Sequence, residues 1–199
     1  MLMFVAANQS FFMAMFFFVS AFFLVPSLNR KGTRKFTIDR LRRLGIPLLF
    51  FWFVLSPLTV FIHSRFADGK EIPLADYWFS LRGNGFGPMW FVEALLLFTL
   101  IYLLLRGVNI RIRMQFPGTF AILLVAFITG LLQFVIRIWL PLGWSMPFTN
   151  FQFPYFLQYI VLFALGIVAY QNNWLDAVRV KTGKRWFLAA QALIFAGLP

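Results

Sequence analysis

Residues 11–25 read FFMAMFFFVSAFFLV, and residues 30–43 read RKGTRKFTIDRLRR. The first stretch carries no charge and no helical stripe of polar residues. A helix that is apolar all round is either a membrane span or deeply buried. The second holds seven Lys or Arg and one Asp, Asp39, directly behind the apolar run. Together they predict a helix solvated by lipid and a basic turn at the bilayer surface.

The same alternation extends along all 199 residues, of which 61% are hydrophobic and 21% aromatic, with 29 Phe. A water-soluble domain of this length has no place to hide that much apolar surface. A bilayer core of ~30 Å asks for ~20 apolar residues per helical span. Candidate spans run from Met3 to Val25, closed by Pro26; Leu44 to His63; Met89 to Leu105; Pro117 to Leu140; and Pro154 to Tyr170. A sixth apolar run begins near Trp186 and reaches Pro199. The first run lacks the charged leader and small-residue cleavage site of a signal peptide, so it reads as a retained span. The expected fold is an all-α polytopic transmembrane helix bundle, five complete spans plus a truncated sixth, in a single membrane domain over 1–199. Pro47 and Pro57 inside the second span predict a kinked or broken helix, because proline removes a backbone donor.

A formal net charge of +12 raises nucleic acid as a partner. Basic nucleic-acid binders gather Lys and Arg on one contiguous patch, whereas here they fall in the gaps between apolar segments. That distribution sets orientation instead. The segments after spans one, three and five hold 14 of the 18 Lys and Arg, so they are predicted to be cytoplasmic, with residue 1 outside. The absence of Cys removes thiolate chemistry, and a single His leaves no His-rich metal cluster. No metal site or cofactor is expected.

Charged groups inside spans cost ~3 kcal/mol each and mark function or a partner. Glu93 lies about four residues into span three, and Arg137 about four residues before the end of span four. At ~1.5 Å rise per residue both sit ~6 Å below helix ends on the same side, which fits an ion pair or a shared polar cavity. Packing, or snorkelling of Arg137 to the headgroups, is the plainer alternative. Gln133, one turn from Arg137, favours a cavity. At the start of span two, Arg40 and Arg43 are three apart and share a helical face able to grip a polyanion, although such residues also serve topology and anionic lipid. His63 reads as a hydrated interfacial side chain. Asn8, Gln9 and Ser10 either line a cavity or simply begin a Phe-rich helix.

Four stretches resemble the membrane-bound acyltransferase family 3, which places acetyl, succinyl and similar groups on cell-surface glycans. They are Phe16-Phe17-Phe18-Val19-Ser20-Ala21, where the family usually has Gly at the position of Ala21; Phe36 through Pro47 with its Arg40-x-x-Arg43; Gly87-Pro88-Met89-Trp90-Phe91; and Gln158-Tyr159 through Phe163 with Gly166 and Tyr170. The last is similar to glucan succinyltransferase-like members. The resemblance implies an acyltransferase of groups other than amino-acyl groups, located in the bacterial inner membrane. Acyl-CoA would be its co-substrate, engaged from the cytoplasm by Arg40 and Arg43. Trp90, Glu93 and Arg137 would line a cavity nearer the outer face for a glycan or similar hydroxyl acceptor. The family's catalytic His stands on a helix before the Phe-rich one and matches no residue here, His63 included. The sequence therefore reads as a piece of a longer acyltransferase domain, inactive alone, with its catalytic base unassigned. Two other classes fit the same residues: a transporter or lipid/glycan flippase with Glu93 and Arg137 on its path, and a structural membrane partner whose charges only fix topology.

Overall fold

The computed structural model describes residues 2–69, 73, 75–76, 86–108, 112–141, 143–147, 149–178 and 180–196. Every regular element among them is helical. The main helices are α1 (Leu2–Lys31), α2 (Thr33–Phe66), α3 (Trp90–Leu105), α4 (Thr119–Trp139), α5 (Phe156–Gln171) and α6 (Val180–Ala196). Single 3₁₀ turns lead into α3 and α5, at Gly87–Met89 and Phe153–Tyr155. Five of the helical segments are long and apolar enough to cross a membrane: Phe12–Lys31, Thr33–Phe66, Gly87–Leu105, Thr119–Trp139 and Phe153–Gln171. The protein is an all-α polytopic membrane protein.

Three features differ from the sequence expectation. The first helix continues through Pro26 to Lys31. One missing hydrogen bond costs less in lipid than opening a helix end there would. The basic segment that follows is helical from Thr33 onward, and of the basic gap after span five, Lys181, Lys184 and Arg185 lie on the first two turns of α6. Charge does not end a helix; it only moves the helix out of the hydrocarbon.

The third feature concerns the two prolines of α2: of the kinked or broken helix expected, no break is present, and the distortion takes the form of π turns. Each proline follows a π-helical turn, Leu41–Gly45 before Pro47 and Phe51–Leu55 before Pro57. A helical proline clashes with the carbonyl four residues back. Those carbonyls belong to Arg43 and Phe53, the midpoints of the two π turns. A wider turn bonded i→i+5 relieves that clash while keeping the chain helical.

The residues sort into two compact units. The first comprises Met1–Pro26, Asn109–Val135 and Phe156–Pro199. Its core is the packing of α1 on α5. Phe17 stacks on Tyr159 with ring centroids 4.7 Å apart, and Phe22 meets Tyr170 edge-on at 5.5 Å. Between these pairs Gly166 faces the Phe18 carbonyl and the Ala21 methyl, so closely that the backbones themselves set the helix separation. Small residues at such a crossing are how membrane helices gain contact where lipid supplies no hydrophobic drive. Farther along, Val168, Ala169 and Trp174 form a cluster with Phe18, Phe22 and Leu165.

An asparagine just past α5 fixes the segment before α4. Asn172 accepts the Met114 N–H at 2.9 Å and donates to the Ile112 and Val168 carbonyls at 2.8 Å, while Trp174 Nε1 donates to the Met114 carbonyl at 3.0 Å. Asn172→Ala is expected to cost about 1–2 kcal/mol through the lost bonds and to speed hydrogen exchange at the Met114 amide. Unchanged protection there would show that the asparagine does not order this segment.

Along α4 itself Phe120, Phe127 and Phe134 are 79%, 69% and 66% exposed, an aromatic row that only hydrocarbon solvates well. Gln133 is the buried polar residue of that helix.

The second unit comprises Ser27–Val108 and Ile136–Tyr155. In it α3 packs against the π turn Leu41–Gly45 of α2. The far end of α3 is tied back by Arg106, which donates to Thr33 Oγ1 at 3.1 Å and Asn29 Oδ1 at 3.4 Å.

Candidate functional site

Arg40, Arg43, Trp90, Glu93 and Arg137 belong to the second unit, and Gln133 to the first. Arg40 closes the first stretch of α2, half-buried, with its guanidinium 6.0 Å from the Phe36 ring centroid. Arg43 sits inside the following π turn and is exposed. The two guanidiniums thus differ in setting: one rests on an aromatic wall, the other reaches outward.

Trp90 is buried at the first turn of α3, and Glu93 follows one turn later, half-buried. The start of this helix is held by a residue the sequence did not single out. Asn150, in the uncharged segment after α4, accepts the Gly87 N–H through its side-chain oxygen at 3.1 Å. Asn150 adopts a left-handed backbone (φ 58°), which asparagine tolerates better than most side chains. Its own N–H donates to the Met146 carbonyl at 2.9 Å, and the Met146 N–H donates to the Phe151 carbonyl at 2.9 Å, so the segment is a bonded turn.

The ion pair that residue counting suggested between Glu93 and Arg137 does not form. No salt bridge joins them; instead Arg137 lies over the Tyr155 ring, 5.0 Å from its centroid. Equal depth in two helices fixes height and leaves rotation about the helix axis open. The rotation chosen by α4 turns Arg137 toward the aromatic residue at the entrance to α5. A cation over a ring face is stabilised by the ring quadrupole, more so where water is scarce. Tyr155 was missed because a tyrosine near a span end is ordinary.

Several polar atoms in these spans are buried without a hydrogen-bond partner: Glu93 Oε2, Arg137 Nε, and both Nε2 and Oε1 of Gln133. Such atoms are costly unless something supplies the missing bonds. Gln133 and Arg137 occupy successive turns of α4, and Glu93 lies on α3. His63 is exposed at the other end of α2, its Nδ1 4.0 Å from an Asp68 carboxylate oxygen. The side chains of Asn8, Gln9 and Ser10, and the stretch 82–85, lie outside the described residues, as do Arg111 and Arg179. Among the described residues no group of three His, Asp or Glu is placed to hold a metal ion.

These observations define a polytopic membrane protein with arginines at the basic end of one span and uncompensated polar atoms within others. The family model described as an acyltransferase domain, acyltransferase family 3, matches residues 1–199. The chain belongs to that family, and the match is to the family as a whole, without singling out its glucan succinyltransferase-like members. Comparison with curated proteins returns no match, and neither does comparison with solved structures.

Proposed function

We propose that the protein is the membrane core of an O-acyltransferase that moves an acyl group from cytoplasmic acyl-CoA to a hydroxyl of a cell-envelope glycan or similar acceptor. Family membership over the whole chain carries the reaction class. The positive-inside distribution of Lys and Arg supports an inner-membrane orientation with the Arg40–Arg43 end in the cytoplasm. Guanidinium forks suit the phosphates of a CoA donor. In the reaction a base takes the acceptor hydroxyl proton and its oxygen attacks the thioester carbonyl. The C–S bond then breaks as the acyl oxygen collapses from the oxyanion, and the thiolate of CoA leaves and takes up a proton. Trp90, Glu93 and Arg137 line the acceptor side in this reading. The unpartnered Glu93 Oε2 and Arg137 Nε support it, because acceptor hydroxyls complement both.

The test is to supply acyl-labelled CoA to membranes containing the full-length protein and follow the label. Covalent label in an envelope glycan is the expected outcome. Solute or lipid movement with no covalent label would point to transport. Glu93→Gln keeps the shape but weakens a charge-assisted hydrogen bond, a change of ~1.5–3 kcal/mol. It should lower transfer about tenfold or more without changing acyl-CoA binding. Transfer at the wild-type rate would remove Glu93 from the acceptor site.

A further inference from the structure

The first stretch of α2 carries a second basic face that the donor reading does not use. At ~3.6 residues per turn, residues 34, 35, 38 and 39 share one side of the helix, and Phe36 and Arg40 share the opposite one. Burial agrees: Phe36 is buried and Arg40 half-buried, whereas Arg34 and Lys35 are exposed. On the exposed side, at the elbow between α1 and α2, the structure holds a cavity of about 630 Å³. Lys31, Gly32, Arg34, Lys35, Asp39 and Arg42 contribute to its wall.

Charge in this cavity is one-sided. Lys31 bonds Asp39 across the elbow, which neutralises the single acid. Arg34, Lys35 and Arg42 then remain without a salt bridge among the described residues. Gly32 makes the elbow possible: its φ of 73° and ψ of 160° lie in a region open essentially to glycine alone. Arg106 braces the same elbow from α3 through Thr33 and Asn29. A braced concavity with three uncompensated cations, placed where a basic segment meets an apolar span, matches an anion at headgroup depth.

We propose that this elbow is a phosphate-binding site, separate from the Arg40 face, that seats the phosphate of an anionic phospholipid or a free phosphate. The proposal stands whether or not Arg40 and Arg43 bind a donor. The purified protein would be loaded into micelles containing phosphatidylglycerol or phosphatidylcholine, and retained lipid counted by native mass spectrometry. Arg34→Gln/Arg42→Gln should reduce retained phosphatidylglycerol about tenfold or more, at roughly fivefold per surface cation. Arg65→Gln, an exposed cation at the other end of α2, should leave it unchanged. Phosphatidylglycerol retained in the presence of inorganic phosphate identifies the lipid as the source. Displacement by inorganic phosphate, with phosphate-dependent thermal stabilisation lost in the double variant, identifies the free anion. The site is overturned if the double variant holds phosphatidylglycerol and responds to phosphate as the wild type does. Equal helicity by circular dichroism separates a loss of binding from misfolding.

Discussion

Replacing Gly166 by alanine is expected to destabilise the packing of α1 on α5 by about 1–3 kcal/mol, the usual cost of forcing extra volume into a filled contact. A Cβ at this position would overlap the Phe18 carbonyl oxygen and stand 2.9 Å from the Ala21 Cβ. The first obstacle is backbone, which no rotamer change can move aside, so the helices must separate. Separation also loosens the neighbouring Phe17–Tyr159 stack, which lies on the same two helices. The midpoint of unfolding by denaturing detergent should fall accordingly, and Gly166→Leu should fall further. The contact also accounts for an alanine at residue 21 where the family usually has glycine. With glycine opposite, the Ala21 methyl fits with no exposed surface. Exchanging the two, Ala21→Gly with Gly166→Ala, should recover only part of the loss, because the clash with Phe18 remains. Wild-type stability in Gly166→Ala would mean that α1 and α5 do not approach this closely.

In the full-length protein, acyl transfer should fall about a hundredfold or more in Arg40→Ala/Arg43→Ala. Each charge-assisted hydrogen bond to a phosphate is worth ~1.5–3 kcal/mol, and two removed together multiply their effects. The single variants should not be equal. Arg40 rests on Phe36 and is half-buried, so its loss removes packing as well as charge. Arg43 is exposed, and its loss is electrostatic. Lysine at both positions restores charge without the planar fork and should recover part of the activity. The loss should appear chiefly as a higher KM for acyl-CoA, with the acceptor KM little changed. A double variant with unaltered kinetics would exclude both arginines from donor binding.

The spans were legible because lipid solvation asks only for length and apolarity, and both are properties of a single stretch of chain. Phe11 through Val25 satisfies the criterion without reference to any other residue. Helix ends were less legible. Lys181, Lys184 and Arg185 fall in a charged gap between apolar segments, yet the helix runs through them because nothing there stops it. Pro47 and Pro57 predicted a kinked or broken helix, and sequence alone does not distinguish an opened helix from one that inserts a π turn ahead of the ring. In the candidate site, residue counting suggested similar depths for Glu93 and Arg137 and nothing about their rotation. That rotation turned Arg137 to Tyr155. Asn150 and Asn172 escaped notice for a related reason. Their bonding partners Gly87 and Met114 lie 63 and 58 residues away, and a polar residue between spans carries no local sign of such a partner.

Acyl transfer in sealed vesicles of opposite orientation tests the membrane acyltransferase reading most directly. Labelled acyl-CoA, which does not cross the bilayer, would be supplied to the outside of inverted or right-side-out vesicles containing the full-length protein. Transfer is predicted in the inverted vesicles, where the Arg34–Arg43 segment faces the added donor, and not in right-side-out ones. Transfer confined to right-side-out vesicles, or no acyl transfer in either orientation, would contradict it.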